Sequence, residues 1–119
     1  MTFDTVALCR AEPDAATMLG ALLAAGSELK MDTVEAAGLV QLFDPVDGRL
    51  LLSVEAARLM RVPGEAQRLL GLAATDDVPQ PIWWVESRAP GADPQAAEVA
   101  RRFTAALVES TGGLTWESR

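Results

Sequence analysis

The chain contains no histidine, no tyrosine, one cysteine and one lysine (Lys30). The missing imidazole removes Ser-His-Asp and Cys-His catalysis, and with them the commonest general base at neutral pH. One thiol without histidine leaves no ordinary zinc site. Nor can Cys9 form a disulfide within the chain. It lies in the apolar run Thr5–Cys9 and is expected to be a small buried hydrophobe. No G-x-x-x-x-G-K-[ST] or G-x-G-x-x-G pattern occurs, and Gly112-Gly113 follows a helix rather than opening one, so no phosphate cradle is expected. The expectation is a non-catalytic protein with no cofactor and no metal.

Long apolar runs are also lacking. Nothing approaches the 18 residues or so of a membrane span. Met1-Thr2-Phe3-Asp4 has no basic leader character, so a cytoplasmic protein that binds no membrane is expected. Net charge is −7, the pI is about 4.4, and the positive charges are nine Arg to one Lys. Such a surface repels nucleic-acid phosphate, and no basic stripe offsets it, so nucleic-acid binding is not expected.

What remains for chemistry is carboxylate. Asp44 and Asp47 flank a turn, but the residues up to Glu55 do not supply a calcium loop, and turn formation accounts for both acids. Asp32 and Glu35 could in principle form an acid pair. Without a recognisable cleft they read as a solvated strand edge.

The best-defined stretch is strand–helix–strand over 82–118. Ile82–Arg88 and Leu114–Ser118 carry all three tryptophans. Between them, Asp93-Pro94 is a helix start. Ala96, Val99, Ala100, Phe103, Ala106 and Leu107 then recur at three- and four-residue steps, making one apolar stripe. Gly112-Gly113 supplies the stop. About 18 residues at 1.5 Å each give roughly 27 Å, enough to cross a sheet and make the flanking strands parallel.

Ahead of this unit, Thr5–Cys9 reads as a first strand. A helix from Glu12-Pro13-Asp14 follows, with Met18, Leu19, Leu22 and Leu23 inward and Gly26 closing it. A weak strand at Glu28–Glu35 and a break at Ala36-Ala37-Gly38 come next. The hairpin Leu39–Phe43 and Arg49–Glu55 turns through Asp44–Gly48; Val40 and Leu42 share one face of the first strand, Leu50, Leu52 and Val54 share one face of the return strand, and the loop's register sets which faces match. The return strand could run on to Met60. A short helix at Pro63–Leu70 buries Leu69 and Leu70, and Ala73–Pro81 is a linker. The fold class is therefore α+β, one domain, in the order β-α-β-β-β-α-β-α-β. The sheet is expected to be mixed and mostly antiparallel, with helices mainly on one face.

On strand 82–88, Trp83, Val85 and Ser87 point one way, while Ile82, Trp84, Glu86 and Arg88 point the other. Each buried Trp removes ~150–250 Å², an upper bound of roughly 4–6 kcal/mol. Trp84 either sits under a second helix or loop, or belongs with Glu86 and Arg88 to a binding face for another protein or a second copy, since Trp and Arg are enriched at hot spots. The alternatives are a small-ligand binder or carboxylate enzyme with Trp84 in its wall, and a structural subunit of a larger assembly. The segment Thr104–Trp116 resembles the closing helix–Gly-Gly–strand of small bacterial α/β domains, some of them similar to toxin-immunity proteins. Helix, stop and strand produce that pattern by geometry, so no functional residue is carried over from it.

Overall fold

A computed structural model describes residues 2–72, 78 and 81–118. The strands are β1 (Thr2–Cys9), β2 (Lys30–Val34), β3 (Leu39–Phe43), β4 (Leu50–Glu55), β5 (Arg58–Met60), β6 (Ile82–Pro90) and β7 (Gly113–Glu117). The helices are α1 (Ala15–Ala25), α2 (Glu65–Leu70) and α3 (Pro94–Thr111). This is the expected α+β order. The linker read at Ala73–Pro81 falls almost wholly outside the described residues.

The strands form one sheet, β2-β3-β4-β6-β1-β7, with β5 pairing the start of β6. Every pairing is antiparallel. The strands flanking α3 do run parallel to each other, but β1 lies between them and pairs with both. The hairpin register, left open by the alternation, opposes Val40 to Val54 and Leu42 to Leu52. One residue on, Phe43 opposes Leu50, leaving Leu51 as an extra residue on β4. Such a bulge re-aims a side chain, and both Leu51 and Leu52 are fully buried in the same core. The return strand does continue to Met60. Residues 55–57 stand opposite only 85 and 86, so the continuation appears as the separate strand β5.

Two cores sit on opposite faces of the sheet. On the first, α1 and α3 cover Ala7, Cys9, Val85 and Ala89 of β1 and β6, with Leu42, Leu52 and Val54 of the hairpin. The α3 N-cap is Asp93, whose carboxylate accepts from the backbone N–H of Gln95 (3.0 Å) and Ala96 (3.2 Å). Gly113 begins β7 at φ +119°, and a Cβ there would collide with the Leu8 carbonyl. The second glycine of the pair is therefore needed for strand approach as well as for the helix stop. On the second face, α2 and Val78 cover Val6, Leu8, Ile82 and Trp84. The helices thus divide two to one between the faces.

Two inward assignments from the helical wheel are corrected by the packing. The helix α1 buries Ala21, Leu22 and Ala25, while Leu19 is 46% and Leu23 53% exposed. In α2, Ala66 is the buried residue, and Leu69 is half exposed. In α1 two alanines go inward with Leu22, and in α2 an alanine does. Cys9 is fully buried, and burial pushes its thiol above the ordinary range, offset in part by a hydrogen bond with Thr111. No described helix is long and apolar enough to cross a membrane.

Candidate interaction face

The second sheet face is closed at one end and open at the other. At the closed end Trp84 is only 5% exposed, packed with Leu8, Ile82 and Ala66. Its indole therefore offers no open surface. A buried indole N–H needs an acceptor, and Nε1 donates to Glu86 Oε1 at 3.3 Å. The other Glu86 oxygen accepts from Arg88 Nη2 at 3.2 Å, and Arg88 Nε donates to Asp4 Oδ1 at 3.3 Å. The three residues singled out from strand alternation thus form one hydrogen-bonded row with Asp4, running from buried indole to an arginine whose side chain is 55% exposed. Trp83, on the opposite face, is partly buried against the first core.

At the open end, strand register places residues from five strands on the same face. Asp4 opposes Arg88, Arg88 opposes Ser53, Ser53 opposes Gln41, and Gln41 opposes Asp32. Gln41 donates to Ser53 Oγ at 3.3 Å. A groove of about 380 Å³ runs here, lined by Leu39, Ser53, Glu55 and Arg88. Among the described residues no helix covers it. Leu39, Ser53 and Asp4 were not identified from sequence. They reach Arg88 through strand pairing between residues far apart in the chain, and no local pattern encodes that pairing.

Two other concavities flank the fold. One, of about 210 Å³, lies between α3 and β7, lined by Thr5, Thr104, Thr115, Arg101 and Glu117 among others. Its inner wall is a row of buried hydroxyls. Ser87 and Thr5 share a hydrogen bond, Thr5 and Thr104 another, and Thr104 donates to the Ala100 carbonyl at 2.8 Å. Each hydroxyl has one proton to donate, and this row uses all three internally. The other, about 470 Å³ and shallow, is lined by Leu59, Arg61, Pro63 and Pro81. Trp84 lines none of the three.

The remaining acids go into loop structure. Asp44 accepts from the N–H of Val46 (2.8 Å) and Asp47 (3.2 Å), which holds its carboxyl below the usual range. Arg49 pairs with Asp47 and, at 2.7 Å, with Asp93, tying the hairpin loop to the start of α3. Asp32 accepts from the adjacent Thr33 N–H on an exposed strand, and Glu35 is exposed in the turn that follows. Among the described residues no three Cys, Asp or Glu side chains are placed to hold a metal ion. Comparison with protein-family models, curated proteins and solved structures finds no match to this chain.

Proposed function

We propose that this chain is a non-catalytic interaction module, of the immunity or accessory kind, that binds another protein through the open half of its second sheet face. The observation that carries this reading is the Arg88 site. A half-exposed guanidinium is held between Asp4 and Glu86, beside an uncovered groove floored by Leu39 and Ser53. A positioned arginine beside a leucine in a groove of otherwise polar lining has the residue types found at hot spots. Asp4, Glu55 and Glu86 outnumber Arg88 at this site, and the chain's net charge is −7, so a basic partner is favoured. The small-ligand alternative has less support, because the indole assigned to its wall lies under α2.

The test is binding to the products of neighbouring genes, measured for the wild type and for Arg88→Glu, Leu39→Asp and, as a distant control, Val46→Asp. Val46 is 93% exposed on the hairpin loop. The first two variants should lose binding at least tenfold and the control should keep it. A partner bound equally by all four proteins would overturn the reading.

A further inference from the structure

Beyond a heterologous partner, we infer that the free edge of β2 pairs with the β2 edge of a second copy, in a register centred on Met31. The two edges of the sheet differ. At β7, Arg101 of α3 reaches across to Glu117 at 3.1 Å and guards the strand end. At β2, all five residues are exposed, including Met31 at 50% and Val34 at 37%, and the strand contains no proline. Its outer edge pairs with no described strand, and of its backbone donors the Thr33 N–H is taken by the Asp32 carboxylate at 2.9 Å.

The charges select a register. In an isologous antiparallel pair, residues directly opposite must lie on the same sheet face, so the two-fold axis passes through a residue and its own copy. Centring on Lys30 or Asp32 opposes like charges, which is unfavourable. Centring on Met31 instead opposes Lys30 to Asp32 of the second copy twice over, with the two Met31 side chains meeting on the helix-bearing face. Opposite charges two residues apart thus make this edge complementary to itself.

The experiment is solution mass by sedimentation over a concentration series, with the full chain. The wild type should dimerise. Lys30→Asp should weaken the dimer by about tenfold, since it replaces two attractive cross-strand pairs with repulsive ones. The double swap of Lys30→Asp with Asp32→Lys should restore it. All these positions are exposed, and circular dichroism checks that the fold is kept. On oxidation Met31→Cys should crosslink, because its copy lies directly opposite. Thr33→Cys should not, since the copies of residue 33 would stand about 13 Å apart along the strands. The inference is overturned by a wild-type monomer throughout, by a dimer indifferent to the charge variants, by preferential crosslinking at Thr33→Cys, or by open-ended masses indicating β2-to-β7 chaining.

Discussion

The two faces of the sheet are closed by different means. The first is covered by α1 and the 18-residue α3, with Phe103, Leu51, Leu52 and Leu107 sealed beneath them. The second has the six-residue α2 over Trp84 at one end and no described helix at the other. So short a helix is marginal on its own and depends on the surface beneath it. Bulk aliphatic packing therefore stabilises one face, while on the other a single large ring anchors a small helix and leaves room for a partner. In the proposed reading, stability and binding are divided between opposite sides of the same strands.

The division can be tested by disrupting each side in turn. The largest effect is expected at the first face. Phe103→Ala should cost about 3–5 kcal/mol, read as a lower urea midpoint and loss of protection in α3 and β1 together. Trp84→Ala should cost about 3 kcal/mol but act locally, so that hydrogen exchange rises in α2 and at Ile82–Glu86 while α3 amides stay protected. Equal loosening of α3 would show that the faces form one cooperative unit. The buried hydroxyl row comes next. Ser87→Ala removes the partner of Thr5 and should cost about 1 kcal/mol, and Thr5→Val, which strands both neighbours, should cost more.

The smallest effect concerns acid. The Arg49 guanidinium beside Asp93, with the N-cap N–H groups, holds its carboxyl below the ordinary 3.8. Backbone N–H groups do the same for Asp14 and Asp44. A carboxylate depressed by folding contributes its full stabilisation above its unfolded pKa and loses it as pH falls through the folded value. Tm should therefore be flat above about pH 5 and decline below about pH 4. Asp93→Asn should make that decline shallower; an unchanged acid slope would remove Asp93 from the account.

Local chemistry made much of the fold readable in advance. Asp93-Pro94, the Ala96–Leu107 stripe and Gly112-Gly113 define α3 because caps and periodicity act within a few residues. The Asp44–Gly48 turn and the alternation around it define the hairpin for the same reason. Leu19 and Leu23 misled because a helical wheel shows which residues could face inward, but not how closely the neighbouring backbone approaches. Thr104 gave no signal as a core residue, since its burial depends on the Thr5 hydroxyl of β1, 99 positions away, which in turn pairs with Ser87 of β6. The candidate site was half legible. Alternation put Trp84, Glu86 and Arg88 on one side of β6, but it could not reveal that α2 lies over the indole or that Asp4 lies beside the guanidinium.

By itself, then, the chain's order of residues determined the elements, the capped ends of α3 and the two-sided character of β6, because propensity, capping and pleat are short-range. Only the assembled structure decided that β1 threads between β6 and β7, which face each helix covers, and which stretch of sheet no described helix covers. Those outcomes depend on how distant segments compete for the same buried area, and that competition is resolved only when the whole chain packs.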